Sequence, residues 1–154
     1  MSRILGLDYG TRRIGAALSD PSRTIATPLE VYERTTRERD ARHYRELVAE
    51  EDIERIVVGL PLHTGGGESE LSRQARAFGR WLKEVTGRPV VFADERYTTR
   101  QAEEILLAHG FRRKGRNQRR DMLAAQILLQ AYLDSGCPES DTPARPLDDA
   151  EAAP

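Results

Sequence analysis

An acid closes the first apolar run of this chain. Ile4-Leu5-Gly6-Leu7 leads straight into Asp8, with Tyr9, Gly10 and Thr11 behind it. A run of that composition reads as a buried strand, and Gly10 permits a tight turn directly after it. Asp is almost never fully buried unless it is paired or holds a metal. A carboxylate ending a central strand therefore sits at the solvent-facing lip of a sheet or beside a cation. Either placement marks a site whose other members come from elsewhere in the chain.

The apolar pattern supplies the scaffold. Residues 3–8 and Ile14 to Ser19 are two apolar runs joined by a tight turn, which predicts an antiparallel hairpin. Thr24 to Val31 reads as a third strand, pushed to a sheet edge by Pro28. Thr35-x-x-Glu38 has the form of a capping box opening a polar helix to about Glu51. Ile53 to Leu60 is a buried strand. Leu71, Ala75, Phe78, Leu82 and Val85 then recur at helical spacing, with Gly87 as the stop. Pro89 to Ala93 is a fifth strand running into Asp94-Glu95. Thr98-x-x-Gln101 opens a helix that Gly110 ends, and Asn117 caps a last helix over about 118–134. A meander followed by strands alternating with helices gives an α/β fold: a five-stranded mixed sheet, its first three strands antiparallel, flanked by helices.

With 154 residues the chain is one domain of ordinary size. It divides into a folded part, 1–135, and an acidic, Pro-rich segment, 136–154, whose composition predicts disorder. The overall charge of −1 says little about partners, and its distribution says more. Arg112, Arg113, Lys114, Arg116, Arg119 and Arg120 crowd one stretch without an acid. The run reads as a phosphate-binding surface, which predicts steep salt dependence and weak sequence preference, or more plainly as a solvated loop. A single cysteine, Cys137, allows no internal disulfide. The absence of a long apolar run and a strand beginning within three residues of the start leave no membrane span and no room for a signal peptide, so a cytoplasmic location is expected.

Three acids fall where such a sheet brings chain segments together. Asp8 ends the first strand, Glu95 follows the last, and Asp121 lies near the start of the final helix among bases that favour its ionised form. Carboxylates on rigid elements are ligands for Mg²⁺ or Mn²⁺, and such a centre activates water against a phosphodiester. Each acid also has a structural reading: a turn-capping side chain for Asp8, a helix-dipole partner for Asp121, a solvated strand end for Asp94 and Glu95.

Four blocks make the chain recognisable. They are Leu5-Gly6-Leu7-Asp8-Tyr9-Gly10-Thr11-x-x-Ile14-Gly15-x-Ala17, Val58-Gly59-Leu60-Pro61-Leu62, Asp94-Glu95-Arg96-Tyr97-Thr98-Thr99, and Asp121-x-x-Ala124-Ala125-x-x-Leu128-Leu129-Gln130-x-Tyr132-Leu133. In this order they resemble the YqgF (RuvX) family over about residues 3–134. The resemblance implies an RNase H-like fold related to the RuvC resolvases. It implies metal-dependent phosphodiester hydrolysis with water as nucleophile, and maps Asp8, Glu95 and Asp121 onto the family's acidic triad. The substrate it implies is the 5′ end of pre-16S rRNA, on or off the ribosome, or branched DNA such as a Holliday junction. Two features depart from the related patterns. Asp121 stands alone on its helix as far as Asp134, where RuvC-type resolvases carry two acids. The loop after Leu62 reads His63-Thr64-Gly65-Gly66-Gly67-Glu68, where the family is often Asn-rich.

Other features refine the expectation. Arg96, beside Glu95, is placed to orient it or to touch phosphate. The Gly65–Gly67 loop is not a P-loop, since no Gly-Lys-Ser/Thr follows. Trp81 falls one position off its helix stripe and reads as core edge. A monomer suffices for RNA trimming, whereas paired cuts in a junction favour a two-fold dimer. Two further classes stand beside the nuclease: a non-catalytic ribosome-assembly factor, and an ATPase or small-molecule kinase suggested by the Asp8-Tyr9-Gly10-Thr11 turn. The intact acid set argues against the first, and the single domain against the second.

Overall fold

The computed structural model describes residues 2–61, 69–94 and 117–140, the side chains of 117–119 excepted. Five strands and three helices fall in these segments. They are β1 (Arg3–Asp8), β2 (Arg13–Ser19), β3 (Ala26–Glu33), α1 (Arg37–Glu50), β4 (Ile53–Leu60), α2 (Glu70–Thr86), β5 (Val90–Asp94) and α3 (Asn117–Asp134). The helix expected between Thr98 and Gly110 lies outside the described residues.

The sheet order is β3-β2-β1-β4-β5. The β1–β2 and β2–β3 pairs are antiparallel, and β1–β4 and β4–β5 are parallel. The expected mixed sheet with its antiparallel meander is thus observed. Pro28 sits on the edge strand opposite Ala17, where the ladder shifts register between Ala16 and Ala17. A residue without an N–H fits only at such a place. The topology gathers one rim: Asp8 lies opposite Gly15, Arg13 opposite Glu33, and Leu60 beside Asp94.

The two faces of the sheet carry separate cores. Leu5, Leu7, Ile14, Ala16, Ile56 and Val58 pack against α1 and α2 through Tyr44, Leu47, Ala75, Phe78 and Leu82. Ile4, Ala17, Val57, Val91 and Ala93 pack against α3 through Ala125, Leu128, Leu129 and Tyr132. Strand alternation assigns Asp8, in phase with Ile4 and Gly6, to the α3 face. It assigns Asp94, in phase with Val90 and Phe92, to the α1–α2 face.

Two helix details differ from the sequence reading. The cap of α1 is Thr36, whose Oγ1 accepts from the Arg39 N–H at 3.2 Å. Thr35 is drawn off by the buried Asp40, donating its N–H and hydroxyl to Oδ1 at 3.0 and 3.2 Å. In α2, Leu71 is 38% exposed while Ser72 is fully buried. The helix turns Gly79 towards the sheet, where a Cβ would stand 2.4 Å from the Phe92 ring, and this rotation moves position 71 off the apolar face. Ala75, Phe78 and Leu82 are buried as expected, and Trp81 packs at the edge of the core.

Beyond α3 the backbone turns at Gly136 and Cys137, both at positive φ. The Arg55 guanidinium donates to the Tyr132 hydroxyl and to the Cys137 carbonyl, each at 3.0 Å, and Tyr132 donates to the Pro138 carbonyl. These bonds tie residues 137 and 138 to β4 and α3. Residues 141–154 lie outside the described residues.

Candidate active site

The site begins with the way α3 meets the sheet. Gly15 is the register partner of Asp8, and a Cβ added to it would lie 2.1 Å from the Asp121 carbonyl oxygen. Gly6 repeats the contact farther down, where a Cβ would approach the Leu129 Cβ to 2.8 Å. Two glycines on neighbouring strands thus let one helix lie directly on the backbone of the sheet. This places the fifth residue of α3, Asp121, over the strand pair that carries Asp8.

The Asp121 carboxyl senses Asp8. Burial pushes the Asp121 carboxyl above its ordinary range, the Arg13 guanidinium opposes that rise, and Asp8 adds to it through like charge. Arg120 acts in the same sense as Arg13. Arg13 Nε lies 3.6 Å from Asp121 Oδ2, and the Asp121 side chain is 28% exposed. Two arginines thus oppose the repulsion at Asp121, of which only Arg13 lies within ion-pair distance, and a hard cation with oxygen ligands would relieve what remains. Among the described residues no group of three or more His, Cys, Asp or Glu side chains is placed to hold a metal.

The turn behind Asp8 is clamped from β3. The Arg34 N–H donates to the Arg12 carbonyl at 2.9 Å, and its Nη1 donates to the Tyr9 hydroxyl at 2.9 Å and to the Gly10 and Thr11 carbonyls at 3.4 Å. Gly10 is required there, since a Cβ would meet the Arg13 carbonyl oxygen at 2.2 Å.

Of the residues singled out in the sequence, Asp8 and Asp121 share the rim, and the exposed Arg120 stands beside them in α3. Arg119 belongs to the first turn of that helix. Glu95, Arg96, Arg112, Arg113, Lys114 and Arg116 lie outside the described residues, as does the Gly65–Gly67 loop. Asp94 is 3% exposed and belongs by alternation to the face opposite Asp8, so it is not a further member of the pair. Arg13, Gly15 and Arg34 were not singled out as site residues, because only the folded sheet puts them beside the acids.

The family model for RuvX, described as Holliday junction resolvase, matches residues 2–135. The chain belongs to the RuvX family. A relative from Rhodopirellula baltica, named "Putative pre-16S rRNA nuclease", is 43% identical, with 96% of this chain and 91% of the relative covered. Two solved structures share the fold. RuvC of T. thermophilus, in complex with a Holliday junction substrate, superposes with a TM-score of 0.54 at 17% identity, covering 89% of this chain and 98% of that one. Fowlpox virus resolvase, in complex with Holliday junction DNA, also gives 0.54, at 10% identity, covering 86% and 97%. The sheet is therefore that of the RNase H-like fold, and membership of the RuvX family makes the chain a nuclease. Among the described residues no helix is long and apolar enough to cross a membrane.

Proposed function

We propose that this RuvX-family nuclease hydrolyses phosphodiester bonds of structured RNA, maturing the 5′ end of pre-16S rRNA. The observation that carries the reading is the carboxyl pair of Asp8 and Asp121, seated on one rim by the Gly15 contact. The name of the Rhodopirellula baltica relative directs the choice of RNA. Glu95, next in sequence to the strand-end Asp94, completes the proposed acid set.

The donor set fits Mg²⁺ or Mn²⁺: carboxylate oxygens, half-buried and mutually repulsive. Bound there, the ion would supply Lewis acidity and an activated water at neutral pH. Asp8 and Asp121 would hold it from two elements whose spacing the Gly15 contact fixes. Arg13 orients the Asp121 carboxylate. Arg120, with Arg96, Arg112, Arg113, Lys114, Arg116 and Arg119, supplies positive charge for the substrate backbone. The proposed protein acts as a cytoplasmic monomer.

Holliday-junction cleavage is the second reading, favoured by the description of the family model. It calls for a two-fold dimer with paired sites. One experiment separates the two. Purified protein is incubated with labelled pre-16S 5′-end RNA and with a four-way DNA junction, in Mg²⁺, Mn²⁺ or EDTA, beside Asp8→Asn. Metal-dependent cleavage of the RNA, absent in the variant, supports the proposal, and cleavage of the junction alone replaces it with the second reading. Salt-sensitive binding of RNA without cleavage would point to a non-catalytic assembly factor.

A further inference from the structure

A cleft of about 290 Å³ opens on the α1–α2 face beside the rim. Its walls include Tyr9, Arg34, Asp40, Gln74, Phe78 and Trp81, with the exposed Arg37 beside them. It is a different surface from the acid pair, yet it is joined to it covalently. Tyr9 is the next residue after Asp8, and successive strand residues point to opposite faces. Asp8 serves the α3 side, and Tyr9 packs with the α1–α2 core.

The chemistry of the walls is specific. Tyr9 and Phe78 rings lie 5.1 Å apart and Phe78 and Trp81 5.7 Å apart, an aromatic row. The Arg34 guanidinium lies over Tyr9 and Phe78, at 5.3 and 5.4 Å from their centroids. Its three side-chain hydrogen bonds all use Nη1, which leaves Nη2 and Nε as donors without a partner among the described residues. Asp40 is 5% exposed, and its Oδ1 takes the Tyr32 hydroxyl at 2.6 Å together with both Thr35 donors. Its Oδ2 has no partner among the described residues and remains an acceptor. The Gln74 amide adds a donor and an acceptor.

We propose that this cleft captures an unpaired nucleobase of the nucleic-acid strand whose phosphate lies at Asp8. The reading rests on the proposed nuclease function and adds a base-binding site to it. The volume stands at the small end of ligand pockets, about 300–1,000 Å³, and suits one base. Unpaired bases are held by stacking on aromatic rings or guanidinium planes and by hydrogen bonds to an edge that carries donors and acceptors. The cleft offers both, and Arg37 at its border meets a flanking phosphate. A substrate engaged at both places straddles the tip of β1, so cleavage requires a single-stranded nucleotide next to the cut.

Trp81 is the only tryptophan in the chain, and it reports directly on the cleft. Short single-stranded RNA is titrated into the wild-type protein in EDTA, where no cleavage intervenes, and Trp81 emission and RNA anisotropy are followed together. The expected result is a saturable emission change that tracks binding. Affinity should be at least about 10-fold weaker for an abasic oligomer of equal length and charge, as loss of a stacked base implies. Affinity should be weaker again for AMP alone. Gln74→Ala, at a half-exposed position that the fold tolerates, and Trp81→Ala weaken RNA binding, while Trp81→Phe retains it by anisotropy. Equal affinity for normal and abasic oligomers overturns the proposal, as does RNA binding without change at Trp81, or no binding. Equal affinity for AMP replaces strand capture with a free-nucleotide site. None of these outcomes touches the nuclease reading, which stands or falls on metal-dependent cleavage and its loss in Asp8→Asn.

Discussion

The two faces of the sheet differ in how closely a helix approaches the strands that carry the acids. On the α3 face small residues set the approach: Gly6, Gly15, Ala17 and Ala125 bring helix and strand backbones together, and Ile4, Leu128, Leu129 and Tyr132 pack around them. On the α1–α2 face the contacts are large: Leu5, Leu7, Tyr44, Phe78 and Leu82 fill a deep apolar layer. The first arrangement fixes position, because a backbone contact cannot be relaxed by turning a side chain. The second supplies stability by volume, and its ragged border leaves a cleft. Chemistry that needs two carboxyls at a set distance belongs on the first face. Accommodation of a ligand with variable shape belongs on the second.

Breaking the chemistry without touching either core gives the largest effect. Asp8→Asn should lower metal-dependent cleavage by more than about 100-fold, the scale of removing one electrostatic group from a reacting centre. Its thermal midpoint should hold, and a large fall in the midpoint would show that Asp8 serves the fold instead. Leu82→Ala tests the bulky face. Leu82 is fully buried, and its truncation should cost about 2–5 kcal/mol in denaturant unfolding while the folded fraction cleaves normally. Gly15→Ala tests the close-packed face. Overpacking there should cost about 1–3 kcal/mol, and here cleavage should fall with stability, because the helix start carrying Asp121 must move. Full activity in Gly15→Ala would remove the distinction between the faces.

The smallest effect sharpens the electrostatics. The Asp121 carboxyl titrates above its ordinary range, so the native state holds that proton more tightly than the unfolded chain does. This contribution to stability is present below the unfolded value and is lost as pH rises through the raised native one. Asp121→Asn in EDTA should therefore flatten the stability profile across the acid range and leave the protein no less stable at neutral pH. Added Mn²⁺ should raise the melting temperature of the wild type and leave that of Asp121→Asn unchanged. A variant that is markedly less stable at neutral pH would contradict the strained-pair reading.

Much of this was legible in the residues. Apolar runs placed β1, β2, β4 and β5 to within a residue or two, since a buried strand announces itself by composition. Pro28 marked an edge strand by its missing donor, and Gly87 marked the end of α2 by its left-handed conformation. The α2 stripe misled at Leu71 because helical spacing gives a face but not its rotation. That rotation was set by Gly79 against Phe92. Thr35 looked like the cap of α1 because the four-residue pattern was present. Asp40, buried through tertiary packing, claimed its donors and left Thr36 to cap.

The same division holds at the site. The sequence alone determined which acids were available and that Asp8 closes a buried strand, since the cost of burying charge is local and readable from neighbours. The pairing of Asp8 with Asp121 was decided by tertiary structure, through a glycine whose role shows only when a helix rests on it. Arg13 against Asp121, Arg34 over Tyr9 and Phe78, and Trp81 at a cleft beside the rim are likewise contacts across long stretches of chain. No local pattern encodes them, because each depends on how two faces of one sheet pack.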